Sequence, residues 1–317
     1  MTALEDLAPN AALVQELEPV VAQELERHLE TAKEWFPHEY VPWTEGTNFD
    51  GPYEGDPWDV AQSAIDGPAR TALVVNLLTE DNLPSYHRAI AETVGRDSAW
   101  GHWLNRWTAE EARHSIAMRD YMLVTRAVDP AALERERMDH MSRGYATDVE
   151  GHVLTTIGYV SFQELATRIS HRNAGRYAGE PQLERLLARI AADENLHMLM
   201  YRNTVNAAFE LNPDAAMTAV LDVVSTFQMP GNEVEGFTRR SVQIAMAGIY
   251  DLRIHHDEVV QPILRAWRVF EREDLGPVGE KAREQLADFL VELDASASRF
   301  EQKRAERAER QALAGRG

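Results

Sequence analysis

Residues 107–115 read WTAEEARHS, and the fold turns on whether the Glu111-x-x-His114 pair inside them is a ligand pair or an accident. With 52 acidic residues and 11 histidines among 317, about one Glu-x-x-His match is expected by chance. A second match stands in ADENLH, as Glu194-x-x-His197, and there is no third. On an α-helix, positions i and i+3 share a face, so each pair can present a carboxylate and an imidazole side by side.

Two such pairs, plus one glutamate from each of two further helices, form the ligand set of a carboxylate-bridged di-iron four-helix bundle. Each pair should therefore have an antiparallel neighbour carrying a glutamate at the same level. Glu80 lies 31 positions before Glu111, and Glu164 lies 30 before Glu194. Turn signals bisect both intervals, at Gly95 and at Gly179-Glu180-Pro181. If each leg is helical, the ligands sit about 22 Å from the turn and face one another across the hairpin. The expected metal ligands are Glu80, Glu111, His114, Glu164, Glu194 and His197. Hard carboxylates with borderline imidazoles suit iron that must change valence and keep an open coordination position. Four carboxylates also balance the charge of two ferrous ions, which makes burial tolerable.

An acid precedes each pair, Glu110 in EEARH and Asp193 in DENLH. Ligating histidines usually give their second ring N–H to a carboxylate. Asp193 is expected to hold His114, and Glu110 to hold His197, across the bundle. Pro84, four residues after Glu80, cannot donate to the Glu80 carbonyl and is expected to kink the helix there.

The rest of the chain agrees with an all-α reading. Strand signals are scarce. Helical periodicity begins at Val14, Leu17, Val21 and Leu25, and loop-like composition runs from Phe36 to about Trp58. Long helices are expected at about 67–94, 98–127, 148–178 and 182–211, and shorter ones at about 213–228, 234–250, 257–271 and 278–312. No composition shift divides the chain, so residues 1–317 are read as one domain with its core bundle at about 67–211. The charged tail from about 300 to 317 is read as a solvated or frayed helix.

Composition narrows the chemistry. The chain has no cysteine, which removes disulfides, thiolate catalysis and cysteine-ligated metals. A net charge of −20 argues against nucleic acid. No apolar run approaches the roughly 20 residues of a membrane span, and the acidic start lacks a secretory signal, so a cytoplasmic location is expected.

Longer words around the ligands resemble one family. LLTEDNLPSY (77–86), WTAEEARH (107–114), SFQELATRISH (161–171) and AADENLH (191–197) are similar to the soluble acyl-acyl-carrier-protein desaturases, the plant plastid stearoyl-ACP Δ9 enzymes and their bacterial relatives. The likeness continues through QMPG (228–231) and the Tyr250–Val269 region, and covers about residues 30–290. It implies a ferritin-like di-iron bundle with flanking helices. Two iron ions would be bridged by Glu111 and Glu194, with Glu80 and His114 terminal on one and Glu164 and His197 terminal on the other. It implies that Thr167 stands near the oxygen-binding side, that Asp193 supports His114, and that Trp35 extends that chain as a route for electrons. It implies an acyl carrier protein bearing the substrate, a ferredoxin-type electron donor and a homodimer. Acidic carriers call for basic contacts, and Arg239 and Arg240 are the candidates.

The stretch from Tyr250 to Arg268 departs from the plant pattern by an added residue, and its His255 and His256 are read as surface residues. A hydroxylase acting on a carrier-bound acyl group is the main alternative. A ribonucleotide-reductase-like radical subunit is a lesser one, for which Tyr201, four residues after His197, is the candidate radical site.

Overall fold

The computed structural model describes residues 3–144, 151–229 and 236–314. Among them no β-strand forms, only one isolated bridge between Phe49 and Asp56. Thirteen α-helices follow in order: α1 Ala3–Leu7, α2 Asn10–Thr31, α3 Gly67–Asp81, α4 Leu83–Val94, α5 Ser98–Val124, α6 Pro130–Arg143, α7 Val153–Ala178, α8 Pro181–Leu211, α9 Pro213–Thr226, α10 Phe237–Met246, α11 Leu252–Ile254, α12 Gln261–Ala266 and α13 Pro277–Ala314.

Helix ends lie where the sequence supplies caps. Asp66 accepts from the Ala69 N–H at the start of α3, Asp129 from Ala131 and Ala132 at α6, and Asn212 from Ala215 at α9. Glu180 caps α8 by accepting from Gln182 and Leu183, with Pro181 in its first turn. Caps of this kind each contribute about 1 kcal/mol. The α7–α8 turn is made by Gly179 at φ +64°, a left-handed position that suits glycine. About one turn before it on α7, the two helices approach closely, and a Cβ on Gly175 would sit 3.1 Å from the Glu184 Cα.

α3, α5, α7 and α8 pack as the central bundle, with α2 against α5 and α8. The long antiparallel α7–α8 hairpin is its most extensive contact. Two apolar clusters divide it along its length. One gathers Trp100–Trp107 of α5, Val153–Ala166 of α7 and Met198–Phe209 of α8. The other gathers Ala69–Leu77 of α3, Ala117–Met122 of α5 and Leu183–Ile190 of α8. A polar layer lies between them and contains every predicted ligand.

Several expectations change in detail. The expected 67–94 helix is two, because α3 ends at Asp81 and α4 begins at Leu83 with Asn82 at the junction. Pro84 therefore sits in a new first turn rather than at a bend. α6 was not expected: its apolar positions are sparse and only Leu133 and His140 are buried. The expected 257–271 helix is a π-helical turn over His255–Val260, then α12, then a 3₁₀ turn at Val269–Glu271. A π turn takes one residue more than an α turn, which accommodates the added residue read in this stretch. The expected helix starts at 148 and 234, Pro230 and Gly231 of QMPG, and the last residues of the tail lie outside the described residues. The tail from 301 to 310 is a mostly exposed continuation of α13.

Candidate metal centre

α3, α5, α7 and α8 each bring carboxylates to one level. Glu80 on α3, Glu111 and His114 on α5, Glu164 on α7, and Glu194 and His197 on α8 are all buried. His114 Nδ1 lies 3.3 Å from Glu111 Oε2, 3.2 Å from Glu194 Oε1 and 3.6 Å from Glu80 Oε2. His197 Nδ1 lies 2.7 Å from Glu111 Oε1, 3.6 Å from Glu164 Oε2 and 3.8 Å from Glu194 Oε2. Glu111 and Glu194 thus face both histidines, while Glu80 and Glu164 each face one. Two four-residue sets result, Glu80–Glu111–His114–Glu194 and Glu111–Glu164–Glu194–His197, each with one ligand atom per residue within 4.8 Å of the others.

These residues fit a pair of metal ions. His114 Nδ1, His197 Nδ1, Glu111 Oε1, Glu164 Oε2 and both Glu194 oxygens are buried without a hydrogen-bond partner. Orphaned buried acceptors are costly, and here they converge on one centre. Protons are the other way to relieve the crowding. Burial, followed by the charges of Glu111, Glu164 and Glu80, pushes the Glu194 carboxyl well up. Burial opposes charge on His114, but Glu111 and Asp193 raise it well above the ordinary imidazole range. His197 is raised in the same way, against burial, by the Glu110 carboxylate that accepts from its ring and by the nearby Glu111 carboxylate.

The acids before each pair reach across as expected. His197 Nε2 is 3.0 Å from Glu110 Oε2, and His114 Nε2 is 3.5 Å from Asp193 Oδ2. Burial alone would raise Glu110, yet its bonds with His197 and His28 hold it far below the usual carboxylate range. Burial also works against Asp193, but His114, Trp35 and Arg189 bring it down to about 2. Trp35 is buried and donates its indole N–H to Asp193 Oδ2 at 2.7 Å.

A family model described as "Fatty acid desaturase" matches residues 10–314. The chain belongs to the fatty acid desaturase family. It is 49% identical over 311 residues, covering 96% of this chain and 92% of the other, to a Mycobacterium tuberculosis protein named as an acyl-[acyl-carrier-protein] desaturase, DesA1. It is 31% identical over 255 residues to stearoyl-[acyl-carrier-protein] 9-desaturase 6 of Arabidopsis thaliana, across 75% of this chain and 64% of that one. The X-ray structure of the Mycobacterium tuberculosis DesA2 protein superposes with a TM-score of 0.69 at 31% identity, covering 86% of this chain and 99% of that chain. The fold of this desaturase-family chain is the ferritin-like helical one, and no helix among the described residues is long and apolar enough to cross a membrane.

Around the desaturase-family site stand residues that spacing did not single out. His28 on α2 lies 2.9 Å from Glu110 Oε2. Trp107 donates to Glu164 Oε1 at 3.0 Å, and His171 Nε2 lies 3.0 Å from Glu80 Oε1. His171 carried a faint signal, since it falls seven positions after Glu164 and so on the same helical face. Trp107, four before Glu111, carried the same kind of signal. His28 belongs to a helix outside the bundle; three positions after Leu25 and seven after Val21 it falls on that helix's apolar face, but nothing in the sequence tied it to Glu110.

Other expected residues are placed as follows. Thr167 is buried one turn beyond Glu164, and its hydroxyl accepts from the Gln163 amide at 3.0 Å rather than bonding its own backbone. Arg239 is exposed, whereas Arg240 pairs with Glu136 at 2.8 Å. Tyr201 is buried with its hydroxyl unpartnered, edge-on to Trp103 at 5.7 Å. His255 was expected at the surface and is instead buried, stacked on Phe227 at 4.9 Å with its Nδ1 3.0 Å from the Tyr250 hydroxyl. The extra residue of the π turn rolls it inward. His256 is half-buried beside Asp257.

Proposed function

We propose that the chain is an acyl-acyl-carrier-protein desaturase that places a cis double bond in a saturated acyl chain at a di-iron centre. The observation that carries the reading is the convergence of orphaned, buried carboxylate and imidazole atoms from α5, α7 and α8 on one point, joined there by Glu80 of α3, together with relatives named for that activity. Glu111 and Glu194 would bridge the ions, Glu80 and His114 would complete one, and Glu164 and His197 the other. Bound iron would supply the one-electron valence changes that let dioxygen act on unactivated C–H bonds.

The protein's own part is to bind, orient and exclude water. The apolar clusters on either side keep the polar layer dry, which strengthens each charge contact within it. Asp193 and Glu110 fix the ring planes of His114 and His197 through their Nε2 atoms. Thr167 stands one turn from Glu164 for a hydrogen bond on the open side. Trp35, joined to His114 through Asp193, is the proposed entry for electrons. In the overall reaction two neighbouring carbons each lose one hydrogen. Dioxygen takes these with two electrons and two protons and leaves as two waters.

The proposed partners are an acidic acyl carrier protein, with exposed Arg239 as a candidate contact, a ferredoxin-type donor and a second copy of the chain. We also propose that residues 1–317 work as one domain and that the enzyme is cytoplasmic. The test is to incubate iron-loaded protein with stearoyl- and palmitoyl-ACP, a ferredoxin system and dioxygen, and to analyse the acyl products by mass spectrometry. Loss of two mass units is expected. Gain of sixteen would assign a hydroxylase instead, and no product with two irons bound would refute the reading.

A further inference from the structure

The two halves of the site match more closely than their six ligands require. Glu80 and Glu164 each turn one oxygen toward a histidine Nδ1 at 3.6 Å and set the other 3.0 Å from a buried ring nitrogen. The ring nitrogens differ. Glu164 has the Trp107 indole, and Glu80 has the His171 imidazole. Behind the histidines the order is reversed: Asp193, behind His114, has the Trp35 indole, and Glu110, behind His197, has the His28 imidazole. Each metal position is therefore supported by one indole and one imidazole, exchanged between the inner and outer places.

An indole N–H is always a donor, whereas an imidazole nitrogen donates only in the right tautomer. For His171 to serve Glu80 as Trp107 serves Glu164, Nε2 must carry the proton. Its neighbours favour that. The Asn76 amide nitrogen lies 3.2 Å from His171 Nδ1, and the Ser170 hydroxyl donates to Asn76 Oδ1 at 3.1 Å. With the serine fixing the amide oxygen, the amide N–H points at Nδ1 and leaves the ring proton on Nε2, against Glu80 Oε1. Asn76 is one turn before Glu80 on α3, so the relay and the carboxylate it steadies share one face. All three relay residues are buried.

We propose that Ser170, Asn76 and His171 form a positioning relay that donates to Glu80 Oε1 and so fixes the plane of the carboxylate, with Oε2 turned toward His114. Carboxylate posture at the Glu80–His114 position is thus set by a histidine, while at the Glu164–His197 position it is set by an indole. The inference rests on the metal reading of the site.

The test titrates ferrous ion alone into the full chain without oxygen, and records Mössbauer spectra after loading with ⁵⁷Fe. Wild type should take up two ions. His171→Ala should weaken one of them about 10- to 100-fold, as loss of a partner behind a ligand commonly does, and alter the spectrum of half the iron. His171→Gln, which keeps an N–H donor, should restore most of that affinity. Asn76→Leu, which leaves the imidazole without its orienting donor, should repeat the one-site loss. Circular dichroism of each variant should match wild type; if His171→Ala fails to fold, the glutamine and Asn76 variants carry the comparison. Retention of both ions at wild-type affinity in His171→Ala, equal loss of both, or no rescue by glutamine would each overturn the relay. Wild type that binds fewer than two ions would overturn the metal reading itself.

Discussion

Trp35 and Asp193 are 158 positions apart in the chain, and the Trp35 indole N–H meets Asp193 Oδ2 at 2.7 Å. The same oxygen lies 3.2 Å from the Arg113 guanidinium and 3.5 Å from His114 Nε2, while Arg189 bonds the other. The Trp35 ring lies nearly parallel to His114, 14° between planes at 6.4 Å, and under the Arg113 guanidinium at 4.9 Å. One residue from the loop after α2 is thus coupled by a single carboxylate to the ring of His114, a proposed metal ligand.

Trp35→Phe should separate the packing role of this residue from its donor role. The phenyl ring keeps most of the apolar burial, and the lost bond to a charged acceptor costs about 1.5–3 kcal/mol. Helicity and iron content should be kept, while the rate at which a ferredoxin system reduces the loaded protein should fall. Stopped-flow reduction at unchanged iron content checks this. An unchanged rate would remove Trp35 from the electron route.

Metal uptake should compete with protons. His114 and His197 are raised above the ordinary imidazole range and Glu194 above the ordinary carboxylate range, and each must lose its proton before it can ligate. Ferrous affinity should therefore fall as pH is lowered from 8 to 6, and binding in weak buffer should release protons. Loading should also raise the melting temperature, because the metal binds only the folded chain. Isothermal titration in buffers of different ionisation enthalpy gives the proton count. Zero protons released would contradict the upward shifts of these three groups.

Arg126 should prove to be the anchor of the 47–62 loop. It sits at φ +51° just past α5, and its guanidinium reaches Gln62, Thr47 and the carbonyls of Asn48, Asp56 and Pro57. It also covers the Phe49 ring at 4.1 Å. Arg126→Lys cannot reproduce this planar fork. Both Arg126→Lys and Arg126→Ala should speed proteolytic cleavage within 47–62 while leaving the bundle helices protected in hydrogen exchange. Equal cleavage rates in all three proteins would show that the loop holds without it.

The bundle was legible because its candidate ligands repeat. The near-equal spacing from Glu80 to Glu111 and from Glu164 to Glu194 places four helices and a turn between each pair before any packing is known. Asp193 and Glu110 were legible for the same reason, being adjacent to the pairs. What spacing could not show comes from helices that meet only in three dimensions. His28 reaches Glu110 across 82 positions, and His171 reaches Glu80 across 91. The break at Asn82 went further than a proline kink because the Asn82 N–H bonds back to the Thr79 and Glu80 carbonyls and closes α3. α6 escaped because a helix that buries only two side chains has little periodicity to read.

His255 makes the last prediction, and its sign is opposite to that of His114 and His197. Burial, and then the neighbouring His256 charge, lower it from 6.5 to about 4. The unfolded chain therefore binds the His255 proton between pH 6.5 and about 4 while the folded chain does not. The stability this group contributes is complete above pH 6.5 and is lost as pH falls toward 4, by up to about 3 kcal/mol. His255→Phe keeps the stack on Phe227 but leaves the buried Tyr250 hydroxyl without its ring partner, a pH-independent cost of about 1–3 kcal/mol. The variant should be less stable than wild type at pH 7, and the gap should close or reverse by pH 4.5. Urea unfolding of both proteins across that range measures it. A gap that stays constant with pH would show that His255 is not held neutral by burial in the π turn.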